Sequence, residues 1–194
     1  MLTLVERVRQ AGVVGAGGGG FPTHVKLTAK ADTVIANGAE CEPLLHKDAA
    51  VMEHFAAEVV TGVRLAMEAV GAKQGVIGIK AKNQHAVEAV AAACQGTPVR
   101  VHLLGDYYPA GDEYDLVHEV TGRLIPPAGL PVHVDVVVNN VETLVNIAAA
   151  AEGKPVTSKI LTLAGAVKNP MTLTVPIGTP LRECFAAAGG LTTN

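Results

Sequence analysis

The stretch Gly15-Ala16-Gly17-Gly18-Gly19-Gly20-Phe21-Pro22-Thr23 constrains this chain more than any other. Five of its first six residues have no side chain, so it packs no core, and glycine loses the most backbone freedom on ordering. Such a run offers a string of backbone N–H groups that a ligand reaches without meeting a Cβ, which suits a phosphate or a flat ring. Phe21 adds one ring and Pro22 one fixed φ angle. The spacing Gly15, Gly17, Gly20 satisfies G-x-G-x-x-G, but that dinucleotide fingerprint needs a strand before it and a helix opening inside it. Residues 3–10 read instead as a helix, with capping-box spacing between Thr3 and Glu6 and Gly12 as the stop. Pro22 argues against a helix running on from the loop at Thr23.

Beyond the loop, strand and helix patterns alternate. Strands are predicted at 33–36, 75–79, 99–104 and 134–138. Helices are predicted over 48–70 (one long helix closed by Gly71), 83–94 (capped by Asn83), 113–121 and 142–152. Strands separated by helices imply right-handed crossovers and a parallel sheet covered on both faces. Composition shifts at Gly153-Lys154-Pro155, after which 159–165 and 171–175 read as a hairpin turning at Lys168-Asn169-Pro170, followed by a helix over 181–187. The expected fold is α/β, with a Rossmann-like domain over 1–153 and the start of a second, β-rich domain over 154–194. Two strands and one helix are too few for an independent core, so the chain is expected to stop inside that second domain.

Composition excludes several classes. A formal charge of −3 over 194 residues gives no basic footprint for nucleic acid. No apolar stretch has membrane-spanning length, and residues 1–6 lack a secretory signal pattern, so a cytoplasmic protein is expected. The 3 cysteines, Cys41, Cys94 and Cys184, are isolated, and no C-x-x-C occurs. Neither a zinc site nor an iron–sulfur cluster is expected from cysteine in this chain, and His24, His46 and His85 lack ligand spacing with one another.

In an open parallel sheet, ligands bind beyond the carboxyl ends of the strands. Those ends deliver Asn37-Gly38-Ala39-Glu40-Cys41-Glu42-Pro43, then Lys80 and Lys82, then Asp106 through Glu113, then Asn139-Asn140-Val141-Glu142-Thr143. The opposite ends are expected to offer little beyond Gly and Ala. Each polar residue also has a structural reading: Asn83, Asp112, Asn139, Asn140 and Thr143 as helix caps, Glu40, Glu42, Lys80 and Lys82 as solvated charges, Tyr107 and Tyr108 as packing. Their convergence with the glycine loop favours a site for a phosphate-bearing, planar ligand, a nucleotide or a flavin. No G-K-[ST] loop, nucleophile elbow or triad is present, and spacing alone does not separate the two ligands.

Four segments, GAGGGGFPTHVK (15–26), NGAECEP (37–43), YPAGDE (108–113) and NNVET (139–143), occur in the order found in one family, which this chain resembles. That family comprises the flavin subunit of respiratory complex I, the C subunit of the Rnf electron-transport complex and their relatives. Residues 156–194 resemble the opening of the soluble-ligand-binding β-grasp (SLBB) domain that follows in it. TGRLIPPAGLPV (121–132) and LTVPIGTPLRE (173–183) look most similar to the cobalamin reductases of propanediol-utilising microcompartments.

The resemblance implies flavin mononucleotide (FMN) as cofactor and NADH as electron donor. It implies that Gly15, Gly17, Gly18, Gly20 and Lys26 cradle the flavin, with Asn37 and Glu40 beside it. Tyr108, Gly111, Asp112 and Glu113 would line flavin and nicotinamide, while Asn139, Asn140 and Thr143 would meet phosphate and ribityl groups. Phe21 and Glu42 match NADH-associated positions. Ala16 replaces an arginine of the complex I pattern and Asp112 a glutamate, which bears on the NADH contacts. The implied activity is an NADH-dependent flavoprotein oxidoreductase, passing electrons to iron–sulfur clusters encoded downstream or to a corrin-bearing partner protein within a multi-subunit complex or a microcompartment. No catalytic side chain is implied, because the flavin carries the redox chemistry. A non-catalytic docking or scaffold module of a larger complex is the alternative, and a nucleotide-phosphate enzyme without flavin rests on the loop alone.

Overall fold

The computed structural model describes residues 2–193; Met1 and Asn194, the outermost residues of the two termini, lie outside the described residues. Four parallel strands, β1 (Thr33–Gly38), β2 (Gln74–Lys80), β3 (Val99–Leu104) and β4 (Val136–Asn140), form a sheet in the order β3-β2-β1-β4. Their runs are apolar on both sides because both faces are covered. Successive residues of β1 show the pleat at work. Val34 and Ala36 enter the larger core with Leu144, Ile147 and Val63, while Ile35 enters a second core with Leu116 and Val117. The larger core is closed by α1 (Leu4–Gln10), α4 (Ala56–Val70), α5 (Gln84–Cys94) and α7 (Val141–Ala151), and the smaller by α6 (Glu113–Thr121).

Thr3 caps α1 in the expected capping box with Glu6, and Gly12 follows with φ +73°. Elsewhere the expectations need correction. A short helix, α2 (Thr23–Lys26), does open directly after the glycine loop, with Pro22 as its N-cap residue. Proline costs nothing there, since an N–H at a helix start has no intrahelical partner anyway. The single helix over 48–70 is two, α3 (Lys47–His54) and α4, broken at Phe55 with φ −129° and ψ 32°. Both pieces pack on α5 and α7, α3 more on α5 and α4 more on α7. Val134 ends a short 3₁₀ turn, Pro131–Val134, and β4 begins only after Asp135, whose φ is +57°. Asn83 stands at the N-cap of α5 but makes no side-chain cap bond.

The carboxyl-terminal part forms an antiparallel hairpin, β5 (Ser158–Leu163) and β6 (Met171–Pro176), then α8 (Leu181–Ala187). These elements close over a small cluster of Leu163, Val167, Cys184 and Ala188, while Ile160 packs back against the larger core. The hairpin therefore lies against the α/β unit beside the glycine loop.

Candidate functional site

The glycine loop is a closed hairpin. Gly15 N–H donates to Phe21 C=O at 2.9 Å and Thr23 N–H to Val13 C=O at 3.2 Å, so both ends are clamped. Gly20 N–H returns to Gly15 C=O at 3.2 Å, leaving Ala16 to Gly19 as the arch. Gly18 at φ +116° and Gly20 at +61° occupy backbone conformations that side chains resist. A Cβ at Gly18, Gly19 or Gly20 meets nothing within 4 Å, whereas one at Gly17 would press on the Asn140 side chain at 3.2 Å. Glycine is thus required at 17 by Asn140 and at 18 by its conformation, and the space above Gly18, Gly19 and Gly20 is open to a ligand. The N–H groups of Gly17, Gly18 and Gly19 have no partner among the described residues.

The loop is docked on the junction of β4 and α7. Ala16 N–H donates to Thr143 Oγ1 at 2.9 Å, and Thr143 is buried. Asn140 caps α7, its Oδ1 accepting from Glu142 N–H at 3.0 Å, and its Nδ2 donates to Asp48 at 2.8 Å. Asn139 does neither. It is 4% exposed, and its Nδ2 is the one buried side-chain polar atom without a partner among the described residues. Leaving a buried amide unpaired costs about 1–3 kcal/mol, so Asn139 marks a place where folding stability is given up.

Lys26 and Glu113 face one another at the next position along this edge. Lys26 Nζ donates to Val138 C=O at 2.7 Å and lies 6.0 Å from the centre of the exposed Phe21 ring. Burial lowers the Lys26 pKa and raises that of Glu113, each opposed by the other's charge. Both line a cavity of about 380 Å³ with Phe21, Val25, Leu130 and the backbone edge of β4. Its walls are mainly apolar, as a planar ring would require.

Asn37 joins the first and third strand ends: its Nδ2 donates to Gly111 C=O at 2.9 Å, and its Oδ1 accepts from Ala39 N–H. Asp112 caps α6, accepting from Tyr114 N–H at 2.9 Å. Glu40 is half-buried at φ +34°, and burial, then the Asp48 charge, raise its carboxyl pKa. Glu42 and Tyr108 are exposed at the rim. Lys80 and Lys82 both turn to Asp106, at 3.9 and 2.7 Å, away from the loop residues. Contrary to expectation, the opposite strand ends also carry charge, including the Arg123–Asp32 pair at 2.7 Å.

Sequence reasoning missed the ionic cluster beneath the site. Glu142 is 3% exposed, and its carboxylate accepts from Lys159 Nζ and, at 3.0 Å, from Ile160 N–H, with Lys47 Nζ at 3.3 Å. Lys47 also pairs with Asp48. Burial pulls the Lys47 pKa down, but Asp48 and Glu142 together hold it above its ordinary value. Glu142 stands within NNVET as the second residue of α7, and a lone carboxylate at the start of so apolar a helix was the available signal.

Residues 8–149 match the Nuo51 FMN-binding domain, and residues 160–194 match the SLBB domain. Over 99% of its length the chain is 53% identical to the cobalamin reductase PduS of Citrobacter freundii, covering 43% of that protein. Over 97% of its length it is 41% identical to the C subunit of the Na⁺-translocating ferredoxin:NAD⁺ oxidoreductase complex of Acetobacterium woodii, covering 44% of it. The NAD⁺-reducing NiFe-hydrogenase in its air-oxidized state superimposes with a TM-score of 0.82 at 29% identity, over 97% of this chain and 39% of that one. The chain thus spans less than half the length of these relatives. With nearly three quarters of its residues matched in one block, the chain belongs to the Nuo51 FMN-binding domain family.

Proposed function

We propose that this chain is the flavin-bearing part of an NADH-dependent oxidoreductase. The observation that carries the reading is the unpartnered, buried Nδ2 of Asn139 beside an arch of free glycine N–H groups. Those donors suit the phosphate and polar tail of FMN, and the apolar cavity beside Lys26 suits its ring system. FMN, when bound, supplies the conversion of a two-electron donor into single electrons.

The chain's own residues bind and orient. Gly17, Gly18 and Gly19 donate to phosphate oxygens, and Asn139 donates to the same tail. Lys26, held by Val138 and Glu113, keeps one cation at the edge of the ring site. Phe21 and Glu42, exposed at the rim, receive NADH: the ring stacks, and the carboxylate accepts from ribose hydroxyls. Glu42 also disfavours NADPH, whose added phosphate it repels. Onward electrons pass to iron–sulfur clusters or a corrin-bearing partner outside this chain, in a soluble or microcompartment setting. Among the described residues, no helix is long and apolar enough to cross a membrane.

Anaerobic mixing of the FMN-loaded chain with NADH tests this. The flavin's visible absorbance is expected to bleach, and small dye acceptors to sustain turnover. Glu42→Gln is expected to keep its flavin but lose about tenfold or more in NADH affinity, the worth of one charge-assisted hydrogen bond. Flavin that binds but stays oxidised under NADH would make the chain a docking module instead.

A further inference from the structure

Lys159 belongs to β5, in the carboxyl-terminal hairpin, yet its ammonium reaches into the flavin-side unit and touches the glycine loop. Its Nζ donates to Ala16 C=O at 3.0 Å and to the buried Glu142 carboxylate. Ala16 is therefore held from both sides, its N–H by Thr143 and its C=O by Lys159. The Ala16 C=O shares a planar trans peptide with the Gly17 N–H, so holding the carbonyl on Lys159 aims that N–H the opposite way. Behind the arch lies a cavity of about 230 Å³, lined by Gly15, Ala16, Gly18 and Gly20 on one side and Ser158, Lys159 and Ile177 on the other. Packing does not fill that space, so the arch has room to sag backwards. Lys159 crosses it as the polar link.

We propose that Lys159 is a positioning residue through which the hairpin domain holds the glycine loop in its binding conformation. Its contacts are to Ala16 and Glu142 and it acts through Ala16, so the proposal rests on the FMN reading for its consequence but not for its geometry. Glu142 keeps Ile160 N–H and Lys47 when Lys159 is removed, so Lys159→Met leaves the buried carboxylate with two partners.

The test is hydrogen–deuterium exchange on the flavin-free chain, wild type against Lys159→Met, followed by FMN titration of both. Exchange in residues 13–23 is expected to quicken while β5 and β6 keep their protection, and FMN affinity is expected to fall about tenfold or more. Unchanged exchange in 13–23 overturns the proposal. So does faster exchange throughout 158–176, because Lys159 would then merely dock the hairpin. Where the wild type binds FMN, equal affinity in the variant also overturns it. If the wild type binds no FMN while exchange in 13–23 alone quickens, the strut stands and the FMN reading falls.

Discussion

Asn139 and Glu40 are two residues of the proposed site at which folding stability is given up. Asn139→Leu keeps the branched four-atom skeleton and removes the unpaired buried amide, so the flavin-free variant is expected to be more stable by about 1 kcal/mol while FMN affinity drops at least tenfold. Urea unfolding and flavin titration on the same preparation check the two signs; stability and affinity falling together would show that Asn139 is a structural residue. Glu40 makes a pH-dependent prediction. Burial and the Asp48 charge hold its carboxyl above the ordinary value of 4.5, so the folded chain binds that proton more tightly than the unfolded one. Its contribution is complete below 4.5 and is lost as pH rises through the raised folded value. Glu40→Gln cannot titrate. Relative to wild type it is expected to gain stability as pH climbs through that window, and to show little difference below it. Unfolding at about pH 4 and about pH 7 measures this.

The elements that carry the site depend on one close helix contact. Gly62 of α4 lies against the backbone of α7, and a Cβ there would come within 2.1 Å of Leu144 C=O. Gly→Ala inside a helix ordinarily stabilises by about 1 kcal/mol. Here the clash is side chain on backbone with nothing flexible to yield, so Gly62→Ala is expected to destabilise by about 3 kcal/mol. Thermal unfolding checks it, with a fall on the order of 10 °C expected. Elements with strong local signals were legible in the sequence: the capping box of α1, the alternating pattern of β3, the Asp112-capped α6, and the hairpin with α8. The break at Phe55 was not, because Val51, Val59, Val63 and Met67 keep helical spacing across it and no glycine or proline marks the division. The start of β4 was missed for a related reason. Val134 has strand character by type, but Asp135 takes a left-handed conformation that tertiary hydrogen bonds to residues 32 and 33 support.

At the scale of the whole molecule, the sheet order places the glycine loop, the β4–α7 junction and the start of α6 at one edge, and the hairpin closes behind them. Four segments scattered over more than a hundred residues signalled that edge in the sequence. The cluster of Lys47, Asp48, Glu142 and Lys159 beneath it did not show, because its partners come from three separate elements and of them only Glu142 lies in one of those segments. We hold that the arch of glycines exists to receive FMN. An FMN fluorescence titration of the wild-type chain and of Gly18→Val, each paired with thermal unfolding of the flavin-free protein, tests this most directly. Gly18 has open space above it and a φ of +116°, so valine obstructs the ligand's space and adds strain at one loop residue. Saturable binding of one FMN by wild type is predicted, weakened on the order of a hundredfold in Gly18→Val, about 3 kcal/mol, with a stability loss well below that. Absence of saturable binding in the wild type, or equal losses of stability and affinity in the variant, would contradict this role for the arch.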